Sequence, residues 1–340
     1  MQKLLTIVVP VYKVEQYINK CLDSCIIHKT DAQGQQVVDE ETMDKLEVVI
    51  VNDGTPDNSA ELSREYTKRY PNTFRQIDKD NGGHGSAWNV GLKEATGKYI
   101  RFLDSDDWLT NLDKLMANLQ DCEADIVLTN FYKYYVQNNL YELQTVEADF
   151  GVMMPLSKDF LYSQLQESFV LNFWRTTYRT NILQPQYPLF AEKVMYDDSI
   201  LALAPLLYGK TFVAYDFVVY NYLLGRVGQT MDETVQIKNI KSYLICYQRL
   251  LDWKSKYQEE TPEEFHKCIS DFISRYARII WEKSIHMPYS ESKKLMKRFH
   301  TEGYVIGNQT RGKMAKRYEK YPFFVFYFME RLRLFKKKQK

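Results

Sequence analysis

Short apolar runs alternate with helical patterns over the first 130 residues. Apolar runs, typical of strands buried on both faces of a sheet, occur at "LTIVVPVY" and "LEVVIVN", and "KYIRFL" is a further predicted strand. The intervening segments have the apolar spacing of helices, as in "VEQYINKCLDSCI", or caps at both ends, as in "DNSAELSREYTKRYP". This alternation predicts an α/β fold with a mostly parallel, doubly wound, Rossmann-like sheet covered on both faces.

The alternation fades after about residue 150. Residues 155–225 have a mixed pattern that includes the strand-like run "TFVAYDFVVYNYLL", whereas residues 233–320 have a helical pattern. We therefore predict a catalytic domain of residues 1–230 and a helical C-terminal region of residues 231–340.

The composition excludes some classes of protein but does not identify the function. The 340 residues are 45% hydrophobic and 26% charged, and the net charge of +1 excludes a globally basic nucleic-acid-binding protein. The five Cys form no Cys-x-x-Cys pair, which is typical of small buried side chains in a reducing compartment. We find neither a signal-peptide pattern nor a membrane-spanning apolar stretch, and we expect a cytoplasmic location.

Polar sequences follow three of the predicted strands. They are "PVYKVE" after the first strand, "NDGTPDNS" after the second and "DSDD" after the fourth. Ligands bind at the carboxyl ends of the strands in parallel sheets. The carboxylates of residues 104–107 should therefore lie on the rim of a cleft, beside Asp53.

The cleft does not have a glycine-rich loop of the kind that binds the phosphates of dinucleotides or nucleoside triphosphates. The turn of residues 10–15 has no glycine, so both the G-x-G-x-x-G fingerprint and a P-loop are absent. Asp104 and Asp106 form an Asp-x-Asp pair, whose hard oxygens suit Mg²⁺ or Mn²⁺ together with substrate phosphates. Acidic loops and helix caps give the same pattern, and we expect Asp107 to cap a helix that starts near Leu109.

Three stretches together resemble the bacterial family 2 glycosyltransferases. "IVVPVYKVEQYINKCLDS", "VNDGTPDNS" and "DNGGHGSAWNVGLKEATGKYIRFLDSDDWL" have the order and spacing of that family. The resemblance is strong over residues 4–112 and looser to about residue 231. It implies the GT-A fold and inverting transfer of a sugar from a nucleotide-sugar. It also implies a nucleotide-binding half, 1–112, and an acceptor and catalytic half, 113–230.

The resemblance also implies roles for individual residues. Those at the nucleotide-sugar would be Pro10, Val11, Tyr12, Glu15, Asp53, Asn81, Gly82, Gly83, Asp104, Ser105 and Arg226. The first four of these residues would line the nucleobase and ribose pocket, and Asp53 would accept a hydrogen bond from the base, usually uracil. Asp104 and Asp106 would hold Mn²⁺ or Mg²⁺, with Asp106 as the direct ligand. Arg226, in "YLLGRVGQTM", would contact the diphosphate.

Two residues depart from the small or basic residues common at their positions in the family. We expect His84 to be a surface-loop residue, with contact to the sugar as the alternative. We expect Trp88 to pack inside the protein.

An inverting transfer needs a base for the acceptor hydroxyl. The family places it in an acidic pair before an apolar helix, and "EKVMYDDSILALAPLLYG" matches this pattern. The resemblance thus implies Asp198 as the base and Asp197 as its neighbour, ahead of a helical run over 200–207. The alternative is that both residues only cap that helix.

The C-terminal sequence "KYPFFVFYFMERLRLFKKKQK" predicts a basic amphipathic helix over about 321–338. Aromatic residues followed by cations suit an interfacial helix on an anionic membrane surface. The alternatives are a helix that docks on the protein's own core and a dimer contact.

The resemblance, together with the basic C-terminal segment, implies transfer from a UDP-sugar to a hydroxyl of a lipid-linked bacterial surface glycan, such as capsule, exopolysaccharide or teichoic acid. The enzyme would be peripheral at the inner face of the plasma membrane. Alternatives are a glycoprotein or glycolipid acceptor, a non-catalytic nucleotide-sugar-binding module, and a nucleotidyltransferase, whose usual glycine- and basic-rich phosphate loop is missing. The sequence leaves the sugar, the linkage and the oligomeric state open.

Overall fold

The computed structural model describes residues 3–164, 171–226, 229, 233–301 and 313–338. The chain divides into two compact units. The first comprises residues 1–229 and 260–265, and the second comprises residues 230–259 and 266–340.

The strands of the described residues are β1 (Leu5–Val11), β2 (His28–Thr30), β3 (Gln36–Val38), β4 (Leu46–Asn52), β5 (Phe74–Asp78), β6 (Tyr99–Phe102), β7 (Trp108–Leu109), β8 (Ile126–Tyr135), β9 (Leu140–Gln144), β10 (Met153–Pro155), β11 (Thr176–Arg179) and β12 (Thr211–Leu224). The helices are α1 (Ile18–Asp23), α2 (Glu40–Asp44), α3 (Ser59–Arg69), α4 (His84–Glu94), α5 (Leu112–Gln120), α6 (Lys158–Gln164), α7 (Thr180–Leu183), α8 (Pro205–Tyr208), α9 (Glu233–Lys238), α10 (Ile240–Tyr257), α11 (Glu263–Lys283), α12 (Tyr289–Thr301), α13 (Lys313–Lys320) and α14 (Phe323–Lys338). Short 3₁₀ helices occur at Gln184–Gln186, Asp197–Ala202 and Ser284–His286.

One large sheet organises the first unit, in the order β10-β12-β8-β11-β6-β1-β4-β5, with β7 paired to β12 and β9 to β8. The pairs β1–β4, β1–β6, β4–β5 and β8–β12 are parallel, whereas β11 is antiparallel to both of its neighbours. The predicted α/β fold with a mostly parallel sheet is therefore confirmed. Strands β1, β4 and β6 end at the same edge, and the loops that follow them carry the predicted polar residues.

The apolar runs form strands because every residue of β1 and β4 is buried. Helix α4 packs closely on β1, because a Cβ on Gly91 would lie only 2.0 Å from a methyl carbon of Val8. The absence of a side chain at Gly91 thus allows this close approach of the helix to the sheet. The predicted burial of Cys21 and Cys25 is also confirmed, and both are free thiols.

Two local predictions are wrong. Asp107 does not cap a helix near Leu109: Trp108 and Leu109 form β7, and α5 begins at Leu112. The Asp107 side chain is 2% exposed and accepts hydrogen bonds from the hydroxyl of Tyr220 (2.6 Å) and the backbone N–H of Leu223 (2.7 Å). Both donors lie on β12, which is distant in sequence, so a local pattern does not reveal them.

The second wrong prediction is a continuous helix over residues 200–207. The segment forms a 3₁₀ helix, Asp197–Ala202, followed by the short α8. Pro205 begins α8, and because it has no N–H it cannot continue the hydrogen bonds of a preceding helix. The apolar pattern alone does not give the position of this break.

The described part of the second unit consists of helices. Their buried core is aromatic and includes Tyr247, Trp281, Phe299 and Phe326. Among the described residues, no helix combines the length and the apolar character that crossing a membrane requires.

Candidate functional site

The loop after β1 presents one of the predicted nucleotide residues to solvent. Tyr12 is 43% exposed, whereas Pro10 and Val11 are the buried end of β1. The carboxylate of Glu15 accepts hydrogen bonds from the side-chain and backbone N–H groups of Asn58, at 3.0 and 3.3 Å. These bonds join the loops that follow β1 and β4 at the carboxyl edge of the sheet.

Asp53 organises the loop of residues 79–83. Its carboxylate accepts hydrogen bonds from the backbone N–H groups of Gly82 and Gly83, both at 2.8 Å, and pairs with Lys79 at 2.7 Å. The side-chain amide of Asn81 donates to the Asp53 carbonyl at 2.9 Å. Asp53 is thus only 2% exposed, and its predicted contact with a nucleobase stays a prediction.

The loop ends at Gly83, whose φ of 84° lies in the left-handed region that favours glycine. The next residue, His84, begins α4. This turn directs the first side chain of α4 toward the acidic residues that follow β6.

Three carboxylates follow β6 within a small space. Single oxygens of Asp104, Asp106 and Asp107 all lie within 4.8 Å of one another. Both oxygens of Asp107 already accept hydrogen bonds from β12. Asp104 and Asp106 are therefore the two carboxylates that can bind a hard cation, and Ser105 between them is buried.

An arginine and a histidine face this pair. Arg226 donates from Nε to Asp106 at 2.6 Å, and its guanidinium lies 5.4 Å from the centre of the Tyr17 ring. Burial and Asp104 raise the pKa of Asp106, while Arg226 acts in the opposite direction. The structure therefore places Arg226 beside the acidic pair, and its predicted contact with the diphosphate stays a prediction.

His84 lies within 2.8 Å of Asp104, measured from Nε2 to Oδ1. Burial disfavours the imidazolium ion, but Asp104, Asp198 and Asp106 outweigh this effect and raise the pKa of His84. The side chain is 43% exposed, as expected of a surface residue, but His84 is the first residue of α4 and pairs with Asp104 rather than lying free in a loop. Its contact depends on the approach of two separate loops, which its own neighbours in sequence do not indicate.

Trp88, one turn after His84, is fully buried, which confirms the packing prediction. Its ring lies 4.2 Å from the His84 ring, and 4.7, 4.9 and 5.1 Å from the rings of Phe102, Phe173 and Phe190. This aromatic cluster supports one side of His84.

The segment that carries Asp197 and Asp198 is held against α4. Asn89 accepts hydrogen bonds from the backbone N–H groups of Leu189 and Phe190, both at 2.9 Å, and donates to the Phe190 carbonyl at 2.8 Å. The backbone N–H of Lys193 donates to the Gly82 carbonyl at 2.7 Å. These bonds bring residues from two distant parts of the chain to one edge of the sheet.

Within that segment, Asp197 and Asp198 differ in their burial and in their electrostatic surroundings. Asp197 is buried and its carboxylate accepts a hydrogen bond from the backbone N–H of Ala191. Asp198 is half-buried, and desolvation raises the pKa of its carboxyl to about 6. His84 opposes this rise, whereas Asp104 and Asp197 contribute to it. Asp198 therefore lies within electrostatic reach of both His84 and Asp104.

Several residues that shape the site had no predicted role. Lys79, Asn89 and Tyr220 hold the loops in place, and Tyr220 bonds both to Asp107 and to the backbone N–H of Asp104 (3.2 Å). Lys79 lies next to the predicted nucleotide loop, and this position in the sequence could have indicated a role in the site. No sequence pattern indicates a role for Asn89 or Tyr220.

Comparison with known proteins identifies the class. The family model described as glycosyl transferase family 2 matches residues 6–183. A relative described as the uncharacterized glycosyltransferase EpsJ, from Bacillus subtilis (strain 168), is 32% identical over 198 residues, which is 58% of this chain. The match covers 54% of EpsJ, so the chain spans about half the length of that relative.

Solved structures share the fold. Staphylococcus aureus TarS 1–349 in complex with UDP-GlcNAc has a TM-score of 0.54 at 17% identity, over 91% of this chain and 93% of that one. The mannosyltransferase PcManGT from Pyrobaculum calidifontis, in complex with GDP-Man and Mn²⁺, has a TM-score of 0.50 at 15% identity, over 98% and 88%.

The fold and the arrangement of the acidic loops define the GT-A class of proteins. The family match covers more than half of the chain, which therefore belongs to glycosyl transferase family 2.

We predict that Asp53→Asn destabilises the first unit by about 1–3 kcal/mol. Gly82 and Gly83 donate to different oxygens of Asp53, so the amide N–H₂ of the variant would face one of these two backbone N–H donors, and Lys79 would lose its counter-ion. Urea unfolding measures this change. Asp80→Asn, at an exposed neighbouring position, is the control and should have a much smaller effect. Equal stability of the two variants would contradict the role of Asp53 in the loop.

Proposed function

We propose that this protein is an inverting, metal-dependent glycosyltransferase that transfers a sugar from a UDP-sugar to an acceptor hydroxyl. The observation that carries the proposal is the convergence of Asp104, Asp106 and Asp198 around His84 at one edge of the sheet. Membership of glycosyl transferase family 2 supports the same activity. UDP-GlcNAc in the TarS neighbour supports the choice of donor.

Asp104 and Asp106 would hold Mn²⁺ or Mg²⁺. The two residues fit such an ion, because their carboxylates are hard ligands whose oxygens lie close together at the rim of the cleft. When bound, the ion supplies positive charge that stabilises the diphosphate leaving group. The Mn²⁺ complex of the PcManGT neighbour supports this use of a divalent ion.

The protein also contributes positive charge of its own. Arg226 is held beside Asp106, and a guanidinium at that position would bind a phosphoryl oxygen of the donor. The loop organised by Asp53 would lie against the nucleotide, with Asn81, Gly82 and Gly83 as its contacts. Tyr12 and Glu15 would contact the nucleobase and ribose from the other side.

Asp198 would act as the base. Its carboxylate would take the proton of the acceptor hydroxyl as the new bond forms between the acceptor oxygen and the anomeric carbon. The bond between that carbon and the phosphate oxygen breaks in the same step, UDP leaves, and the configuration is inverted. Asp197 would hold the segment through its bond to Ala191, so that Asp198 keeps its position.

For the acceptor we propose a lipid-linked bacterial surface glycan, such as capsule, exopolysaccharide or teichoic acid. The enzyme would then be peripheral at the cytoplasmic face of the membrane. The sequence resemblance and the basic C-terminal segment support this choice.

A donor screen tests the activity. We expect slow release of UDP from one UDP-sugar in the presence of Mn²⁺ and little release with a chelator. Asp198→Asn should abolish release while UDP binding, measured by calorimetry, stays within about twofold, because the amide is isosteric but cannot accept the proton. If the wild-type protein releases no UDP from any donor and binds no nucleotide, the result would instead favour a non-catalytic module.

The raised pKa of Asp198 predicts that kcat/KM decreases at acidic pH. The reactive form is the carboxylate, so kcat/KM should fall about tenfold per pH unit below pH about 6, where an ordinary aspartate would remain active to about pH 4. The measurement is kcat/KM against pH, with circular dichroism at each pH as the control for folding. A constant rate down to about pH 4.5 would exclude Asp198 as a base with this pKa.

Asp106→Ala tests the metal ligand. The affinity for UDP with Mn²⁺ should fall at least about tenfold, because the ion-mediated contact is lost. The affinity in chelator should change by a much smaller factor, because there the variant loses only the bond between Asp106 and Arg226. Calorimetry measures both, and Asp121→Ala is the control at an exposed carboxylate. Unchanged affinity for UDP with Mn²⁺ would remove Asp106 from the set of ligands.

A further inference from the structure

Helix α14 docks on the second unit through one face only. Phe326 and Tyr327 are buried, and the hydroxyl of Tyr327 donates to the Met287 carbonyl at 2.9 Å. The buried carboxylate of Glu330 accepts hydrogen bonds from Arg317. This inner face holds the helix in its own unit, which was one of the alternatives left open by the sequence.

The opposite face of α14 is also apolar. Phe324, Val325, Phe328 and Leu332 are between 45% and 62% exposed. Phe324, Phe328 and Leu332 are four residues apart and therefore form one stripe along the helix. A stripe of large exposed apolar side chains marks a surface that another apolar phase or partner covers.

The segment that contains this outer face is strongly cationic. Residues 313–340 contain ten Lys and Arg but only two Glu, whereas the whole chain has a net charge of +1. The rest of the chain is thus net negative, by 42 acidic to 35 basic residues. One of the two acids, Glu330, is turned inward and paired with Arg317 and Arg333. The charge of this segment complements an anionic partner.

A groove lies beside the stripe. It is lined by Tyr289, Tyr327, Phe328, Arg331 and Leu332 and has a volume of about 480 Å³. Arg331 donates to the hydroxyl of Tyr327 at 2.8 Å and to the carbonyls of His286 and Met287 at 3.4 Å. These acceptors are all uncharged, so the positive charge of Arg331 remains available to a phosphate at the groove.

We propose that the outer face of α14 docks on an anionic phospholipid bilayer. The apolar stripe would enter the boundary between headgroups and acyl chains, and Arg331 would bind a lipid phosphate at the mouth of the groove. A nucleic acid offers no apolar phase for Phe324 and Leu332. A second copy would bring two equally cationic segments together. The proposal deepens the membrane location proposed above by naming the surface that docks, and it does not depend on the transferase activity.

Flotation of the full chain with vesicles tests this surface. We expect at least tenfold stronger binding to vesicles of phosphatidylcholine with phosphatidylglycerol than to phosphatidylcholine alone, and weaker binding at high salt. The triple variant Phe324→Ser, Phe328→Ser and Leu332→Ser should lose at least tenfold of this binding. Arg331→Gln should lose part of the preference for anionic vesicles.

A matched control lies in the other unit. The triple variant Leu140→Ser, Leu143→Ser and Met153→Ser changes side chains of similar exposure, and it should bind vesicles as the wild type does. Circular dichroism checks that each variant is folded, and light scattering measures the oligomeric state.

Three outcomes would overturn the proposal. They are no binding of the wild-type chain to anionic vesicles, equal binding by the α14 variant and the wild type, and a wild-type dimer that the α14 variant abolishes. The last result would assign the face to self-association. Because no sugar nucleotide is present, failure here leaves the proposed transferase activity unaffected, but it removes the support that the C-terminal segment gives to the proposed membrane location.

Discussion

The arrangement of loops in the first unit depends on how the repulsion among three carboxylates that follow β6 is offset. Asp104, Asp106 and Asp107 lie close enough to repel one another strongly, and each is compensated by a different part of the chain. Asp107 is bonded by β12, Asp106 by Arg226 just beyond β12, and Asp104 by His84 at the start of α4. The like charges that make the site suitable for a cation thereby also determine which loops meet at it.

A second set of contacts brings the proposed base to the same place. Asn89 uses its carbonyl and its amide to fix the backbone at Leu189 and Phe190, and Asp197 fixes the turn that follows. These bonds lie on the buried side of the segment, where unpaired backbone groups would be costly. Asp198 is thus presented from a constrained turn rather than from a free loop, which suits a group that must meet an acceptor hydroxyl in one orientation.

The two proposals use different kinds of recognition. The site at the sheet edge would bind a phosphorylated sugar through a few charged groups held in fixed positions. The outer face of α14 would bind a fluid surface, for which a stripe of apolar side chains and a high density of cations suffice. The rest of the chain is net negative, so an anionic bilayer that attracts the segment containing α14 would repel the remaining surface. This difference in charge favours binding through the C-terminal segment.

The amino-acid sequence by itself determined the sheet, the location of the site and the helical C-terminal segment. Apolar periodicity is local, so β1, β4 and β6 could be read from it, and the ends of these strands located Asp53, Asp104 and Asp106. The tertiary structure alone decided the pairing of His84 with Asp104, the burial of Asp107 against Tyr220, and the break in the helix before Pro205. It also showed that α14 has an apolar face on each side. These features depend on contacts between residues far apart in the chain, and such contacts are fixed by strand register and close packing, which a local pattern does not encode.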